Sequence, residues 1–251
     1  MIRPAILVSI AMVVVMASCG NDSDDVYTAN TDASPTATST LQATTSTTAS
    51  PQVIASTLPE LFVWPLLSTP AEWPRTPDEA AAAFVEYVAM GEKAATPRPA
   101  VQTGTTATAE LPLRRWDGVH EGLASTIYMQ AAQLDDGTTT WVVVRAQSKN
   151  VVVDYPPAGE LLIKGTTIRG QGQNFEGSIS FQVFDRGGVL GTALAVGGAL
   201  GENMPFKTQM QFDRCPVSEG KGVLASILYP QVEDVSLQDL TMLPVRLPEN
   251  C

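Results

Sequence analysis

Residues 177–195 read GSISFQVFDRGGVLGTALA, two runs with alternating side chains on either side of a glycine-containing turn. Ile179, Phe181 and Val183 alternate with more polar neighbours, a period of two that is typical of a β-strand with one buried face. The turn at 185–188, DRGG, supplies glycines that accept positive φ. This segment therefore predicts an antiparallel hairpin.

The same pattern extends in both directions from the hairpin, with strand-and-turn units repeating at about 10 to 15 residues and no convincing helical period. Seven short alternating strands separated by Gly, Pro and Asp turns are typical of an immunoglobulin-like sandwich, so residues 149–251 are predicted to form one. The predicted strands lie near Val151–Tyr155, Leu161–Gly170, Gly177–Asp185, Val189–Ala195, Met204–Phe212, Gly222–Tyr229 and Gln238–Leu247.

Several runs in this region match a known pattern in order: VVVDYPPAGE at 151–160, TIRGQG at 167–172, FEGSIS at 175–180, DRGG at 185–188, GVLASI at 222–227 and PVRL at 244–247. Together they resemble the immunoglobulin-like Gmad domain of bacterial spore-germination and other envelope proteins. The resemblance implies an accessory or interaction module with no assigned enzymatic activity. Phe175 and Glu176 are interpreted as structural rather than ligand-binding. The Cys215 and Cys251 pair is a departure, because the pattern does not require it.

Residues 60–148 have a different character, with one helix and three strands. Thr76 as N-cap, Pro77 at the first helical position and Glu79 at the third form a capping box. The predicted apolar face of the helix comprises Ala80, Phe84, Tyr87 and Val88, and Gly91 is predicted to end it. The predicted strands are Thr105–Trp116, Leu123–Leu134 and Thr139–Gln147. We expect a small α+β domain with a helix on an antiparallel sheet, of the cystatin-like or nuclear-transport-factor-like kind; this analogy implies no function.

The N-terminus has the features of an export signal. Arg3 precedes a twelve-residue apolar run at 5–16 that is too short to span a bilayer. The run ends in Met-Ala-Ser-Cys at 16–19, which resembles the lipobox of bacterial lipoproteins. The resemblance implies that residues 1–18 are removed and that Cys19 becomes the N-terminus and carries a diacylglyceryl thioether. The alternative is an ordinary cleaved signal that happens to precede a cysteine.

Residues 19–59 are predicted to be a disordered, lipid-anchored linker. Within 31–59, 22 of 29 residues are Thr, Ser, Ala or Pro, and Asp32 is the only charged residue. Such a segment buries too little apolar surface to offset the entropy of ordering.

The chain has three cysteines, so an exported form leaves one unpaired. Lipidation of Cys19 would leave Cys215 and Cys251, which we expect to form a disulfide outside the cytoplasm. That bond would close a loop of about 36 residues and stabilise the fold by roughly 4 kcal/mol. The alternative is two free buried thiols.

Charge and histidine content exclude several functions. Fifteen Lys and Arg residues against 26 Asp and Glu residues give a net charge of −11, which argues against binding nucleic acid. His120 is the only histidine, so a metal site built on several imidazoles is excluded. His120 lies in DGVHEG at 117–122, where a base oriented by Asp117 or Glu121 is conceivable but an exposed loop histidine is the preferred interpretation. We expect no catalytic residue, cofactor or metal.

These observations predict a non-enzymatic, extracytoplasmic protein anchored by lipid to the bacterial membrane, which binds a protein partner or cell-wall polysaccharide. Trp64 and Trp73 could form a sugar-stacking surface, although packing in the first domain is the preferred interpretation. The alternatives are an envelope-acting hydrolase or enzyme inhibitor that depends on His120, and a soluble-ligand carrier with an apolar pocket in the first domain.

Overall fold

The computed structural model describes residues 56–65, 72–89, 96–114, 121–174, 177–199, 202–217, 220–228 and 239–249. The described fold is mostly antiparallel β-structure with one short helix, which confirms the prediction of a β-rich protein. The helix α1 is Pro77–Ala89. The strands are β1 Ser56–Thr57, β2 Val101–Thr103, β3 Thr106–Arg114, β4 Glu121–Gln133, β5 Thr139–Ser148, β6 Val151–Tyr155, β7 Thr167–Asn174, β8 Ser178–Asp185, β9 Gly188–Val196, β10 Gly198–Ala199, β11 Met204–Gln209, β12 Gln211–Phe212, β13 Lys221–Leu228 and β14 Asp239–Arg246.

One long sheet runs through most of these strands in the order β12-β9-β8-β13-β14-β5-β4-β3-β2, and β1 adds to β4 in parallel. The β5–β14 pairing, in which Ala146 lies opposite Met242, joins the strands of the first predicted part to those of the second. Residues 50–251 accordingly form a single compact unit.

A smaller sheet has β7 at its centre, with β6 and β11 antiparallel to it and β10 parallel to it. It covers one face of the long sheet, and the core between the two contains Phe181, Leu190 and Ile168, all fully buried. Phe181 and Phe206 contact each other across this core, with ring centroids 5.3 Å apart. Gly170 allows the close approach of β6 and β7, because a Cβ there would lie 2.0 Å from Val152 O.

A second core lies between α1 and the long sheet. Phe84 of α1 packs in the same cluster as Ile127 of β4, Val223 of β13 and Met242 of β14. This core therefore contains residues from both sides of position 148.

The helix begins as the capping box predicts. Thr76 Oγ1 accepts a hydrogen bond from Glu79 N–H at 3.2 Å, and Glu79 Oε2 accepts one from Thr76 N–H at 3.3 Å. Ala80, Phe84 and Val88 are buried as expected, whereas Tyr87 is 36% exposed. The predicted helix end at Gly91 lies outside the described residues.

Two strand predictions are wrong in part. The strand predicted at 161–170 begins only at Thr167, because the chain turns at Gly165, whose φ is +86°. The strand predicted at 204–212 is divided between the two sheets: β11 pairs with β7, and β12 pairs with β9. The predicted strands do not include β1, β2 and β10, each only two or three residues long. Ser56–Thr57 of β1 lies within the predicted linker.

Candidate functional site

Three of the predicted site residues, Cys19, His120 and Cys251, lie outside the described residues, as do Phe175 and Glu176. Cys215 is described and lies in the connection between β12 and β13. The lipid attachment, the disulfide and the histidine-based alternative therefore stay predictions.

The chain segments that flank the two C-terminal cysteines approach each other. Leu247 N–H donates a hydrogen bond to Gly220 O at 2.7 Å, next to the pairing of β13 with β14. Cys215 precedes Gly220 by five residues, and Cys251 follows Leu247 by four. Since an extended residue spans at most about 3.6 Å, both cysteines are within reach of a common point near this pair.

A buried carboxylate fastens the connection between β12 and β13 to the β8–β9 hairpin. Asp185, only 1% exposed, accepts a hydrogen bond from Arg214 Nη1 at 3.0 Å and a second, close one from Arg214 Nη2. It also accepts the N–H groups of Gly187 and Val217, each at 2.8 Å. Arg214 in turn donates to Val189 O and Gly188 O. Gly188 has φ +98°, as the predicted hairpin turn requires.

Burial alone would raise the pKa of Asp185. The hydrogen bonds from Arg214, Val217 N–H and Gly187 N–H, with the charge of Arg214, outweigh burial, so its pKa lies below the ordinary carboxyl value. The Asp185 carboxylate is therefore held ionised and fully occupied by donors. This arrangement stabilises the hairpin and leaves the carboxylate no free lone pair directed at a substrate.

A second buried acid, Asp239, lies where β4, β5, β6 and β14 meet. Ser125 Oγ donates to Asp239 Oδ1 at 3.1 Å, and Leu240 N–H donates to the same oxygen at 2.8 Å. Next to this, Thr241 Oγ1 accepts Ser148 N–H at 3.1 Å and donates to Val151 O at 2.7 Å. These hydrogen bonds hold the joint between the first strands and the sandwich strands.

Asp239 also lines a cavity of about 70 Å³ together with Ser148, Gln173 and Ser226. Burial raises the pKa of Asp239, although hydrogen bonds from Ser148, Asn150, Leu240 N–H and Ser125 oppose the effect. Gln173 Oε1, which is buried, has no hydrogen-bond partner among the residues that the structure describes. The cavity can hold a few water molecules, but pockets for small organic ligands are about 300 Å³ or larger.

The alternative of a sugar-stacking surface gains no support at Trp64. Trp64 is only 4% exposed and packs in the helix-side core, and its backbone pairs with Val143. Trp73 is partly buried. The preferred interpretation of Trp64, packing in the first part of the fold, is confirmed. In the same core Phe84, Ile127 and Met129 are fully buried, so the proposed ligand carrier gains no support there.

An open cleft with a volume of about 290 Å³ lies on the outward face of the smaller sheet. We call it the cation cleft; it is lined by Tyr155 of β6, Thr167 and Arg169 of β7, and Lys207 of β11. Arg169 lies opposite Tyr155 in one ladder and opposite Lys207 in the other. The Arg169 guanidinium lies 5.6 Å from the centre of the Tyr155 ring.

The cation cleft differs from the larger depression of about 550 Å³ at the far end of β14 from Asp239. That depression is lined by residues that include Glu60, Arg246 and Glu249, and its Arg246 is paired with Glu60 at 3.1 Å. Neither Arg169 nor Lys207 forms an ion pair with a carboxylate in the described part of the chain. Of these two concavities, the cation cleft is the one whose cations have no carboxylate partner among the described residues.

The predicted site residues do not include those of the cation cleft. The sequence pattern that bears on the cleft is the alternation within each strand, which places Arg169 and Lys207 at outward positions. These residues come together only because β7 and β11 are neighbours in a particular register, which alternation within one strand cannot reveal.

No helix in the described ranges is long and apolar enough to cross a membrane. Within the same ranges, no group of three or more His, Cys, Asp or Glu residues is placed to hold a metal ion. Searches against protein-family models, curated proteins and solved structures found no match to this chain.

Proposed function

We propose that this protein is a non-enzymatic binding module of the bacterial cell envelope, exported and anchored to the membrane by lipid on Cys19. Its folded part would bind a protein partner or cell-wall polysaccharide. The observation that carries the proposal is the cation cleft, an exposed polar concavity on a rigid sheet face. Paired β-strands hold its side chains at set positions, which suits recognition.

The two buried acids, Asp185 and Asp239, support a binding role rather than a catalytic role for the part of the chain that the structure describes. Asp185 is saturated by donors from Arg214 and two backbone N–H groups, and Asp239 belongs to the joint between strands. Both carboxylates thus have structural roles that explain their burial.

We further propose that the fold comprises a small α+β part followed by an immunoglobulin-like sandwich of the Gmad type. The two packed sheets with a core between them, and the hairpin β8–β9 with its DRGG turn, support this assignment. The first part would then be the helix α1 on strands β3, β4 and β5.

The Cys215–Cys251 disulfide belongs to the same proposal, supported by the contact between Gly220 and Leu247. Peptide mapping of the non-reduced protein should recover residues 215 and 251 in one cross-linked fragment, and Cys251→Ser should remove it. Recovery of both cysteines as free thiols would contradict the bond.

The lipid anchor is tested by intact mass spectrometry of protein recovered from bacterial membranes. We expect an N-terminal Cys19 carrying acyl chains, and Cys19→Ser should release the protein from the membrane fraction. An unmodified thiol at position 19 would contradict the anchor.

The binding function is tested by co-sedimentation of the full chain with washed envelope material, in low salt and in detergent. We expect saturable binding of the wild type. The Arg169→Gln and Lys207→Gln double variant should bind less, whereas Lys164→Gln, which removes an exposed lysine outside the cation cleft, should bind normally. The absence of saturable binding by the wild type would contradict the proposed function.

A further inference from the structure

Three side chains of the cation cleft form a row across three adjacent strands. Tyr155, Arg169 and Lys207 are directly opposed in the β6–β7 and β7–β11 ladders. Arg169 and Lys207 are both exposed. Neighbouring strands lie about 4.8 Å apart, so a single anionic group can contact both cations at once.

This arrangement is unfavourable in the free protein. Like charges directly opposite each other in a sheet are destabilising, and neither cation has an ion-pair partner among the described carboxylates. The chain as a whole has eleven more acidic than basic residues, yet this site concentrates two cations. A bound anion would relieve the repulsion between Arg169 and Lys207.

The side chains of this row indicate the chemical class of the anion. A guanidinium presents a planar fork of donors that matches the oxygens of a carboxylate or phosphate, and a lysine adds a point charge. The rows on either side of the cations contain uncharged polar residues: Thr167 lies opposite Gln209, and Gln171 lies opposite Pro205. Their hydroxyl and amide groups, with the partly exposed ring of Tyr155, suit the hydroxyl groups and flat faces of sugars.

We propose that the cation cleft binds an anionic glycan, with a phosphate or carboxylate group on Arg169 and Lys207 and an adjoining sugar over Tyr155 and the flanking polar side chains. This inference rests on the proposed binding function and narrows its ligand class.

A glycan fits this place better than an acidic peptide. A peptide that adds to a sheet uses the unpaired N–H and C=O groups of an edge strand. Arg169 lies on β7, which is paired with β6 on one side and with β11 on the other. A group bound to Arg169 must therefore be held by side chains on the sheet face.

The experiment is isothermal titration calorimetry of the full chain in detergent at low salt with four defined polymers. Dextran phosphate supplies phosphate, polygalacturonate supplies carboxylate, dextran is a neutral glycan and poly-glutamate is an acidic peptide. We expect at least one anionic glycan to bind at least tenfold more tightly than dextran and poly-glutamate. The anionic glycan that binds more tightly identifies the source of the oxyanion.

Variants localise the binding. Arg169→Gln and Lys207→Gln should each weaken it at least tenfold, and Arg169→Lys should weaken it because it keeps the charge but loses the fork. The matched control Lys164→Gln should bind as the wild type does. Circular dichroism of each variant establishes that the fold is retained.

Three results would overturn the inference: no binding of either anionic glycan, equal binding of poly-glutamate, or wild-type affinity in both the Arg169→Gln and the Lys207→Gln variants. If the wild type still co-sediments with envelope material while neither anionic glycan binds, the ligand class is wrong and the proposed binding function stands. If the wild type neither co-sediments with envelope material nor binds an anionic glycan, both the proposed binding function and this ligand class are contradicted.

Discussion

At the residue scale, the two buried aspartates respond in opposite directions to the same burial. Asp185 faces a guanidinium and two backbone N–H groups, so its pKa is lowered in spite of burial. Asp239 has neutral donors, and burial prevails, so its pKa is raised. The nature of the partner therefore decides the sign of the pKa shift.

Asp185→Asn should lower the free energy of unfolding by about 2 kcal/mol at neutral pH, since buried Asp185 loses its charge-assisted hydrogen bonds with the partly exposed Arg214. Chemical denaturation of wild type and variant measures this loss. Asp213→Asn changes an exposed neighbour and is the matched control. A loss no larger than that of the control would contradict a stabilising role for the Asp185–Arg214 pair.

The same pair predicts a pH dependence. Because the folded pKa of Asp185 is lowered, its contribution is complete above the unfolded value near 3.8 and is lost as the pH falls through the folded pKa. The stability difference between wild type and Asp185→Asn should therefore be constant at neutral pH and shrink in acid below about pH 4. A difference that grows in acid would contradict the lowered pKa.

Asp239 predicts the opposite trend. Its folded pKa is raised, so the folded state binds the proton more tightly, and the associated stability is present below about pH 3.8 and lost as the pH rises through the folded pKa. Asp239→Asn does not titrate, so its stability relative to wild type should increase as the pH rises from about 3.8. Denaturation curves across this range measure the trend, and exposed Asp154→Asn is the control. A relative stability that falls with rising pH would contradict the prediction.

At the scale of single elements, α1 shows a helix whose start is determined locally. Thr76 and Glu79 satisfy each other's backbone N–H groups, and this pairing needs no contact from elsewhere in the fold. Acidic Asp78 and Glu79 in the first turn also suit the positive end of the helix dipole.

Thr76→Ala should lower the free energy of unfolding by about 1 kcal/mol, because the Glu79 N–H loses its acceptor. Chemical denaturation measures the loss. Glu86→Ala, an exposed position in the body of the helix, should change the free energy by less than about 0.5 kcal/mol. Equal effects of the two substitutions would contradict a specific role of the cap.

Side-chain alternation within a strand is insufficient to predict which strands pair. Residues 178–185 alternate regularly, and β8 lies within one residue of its predicted start. Residues 204–212 alternate equally well, yet the chain leaves one sheet after Gln209 and enters the other at Gln211. Met210 between them is fully buried, so the alternation of burial continues while the pairing partner changes. Side-chain periodicity reports the buried face of a strand but not its neighbour.

At the scale of the whole molecule, the β5–β14 pairing and the core between α1 and the long sheet join residues on both sides of position 148. Phe84, Trp141, Val223 and Leu240 belong to one buried cluster. Neither side can unfold without exposing apolar surface on the other.

Thermal unfolding should therefore give one calorimetric transition, with equal calorimetric and van't Hoff enthalpies. Phe84→Ala beside the helix and Phe181→Ala between the sheets should each cost about 3–5 kcal/mol and lower the temperature of that same transition. Two separate peaks, or a Phe84→Ala effect confined to one of them, would contradict a shared core.

Local patterns were sufficient to predict the β-rich class, the cap of α1 and most strand positions, because alternation, turn residues and capping act within a few residues of each other. Three features emerge only in the folded protein: the pairing of β5 with β14, the burial of Asp239 at that joint, and the opposition of Arg169 and Lys207 across β7 and β11. These features depend on strand order and register. Strand order and register are set by how the faces of the sheets pack together, so no local sequence pattern predicts them.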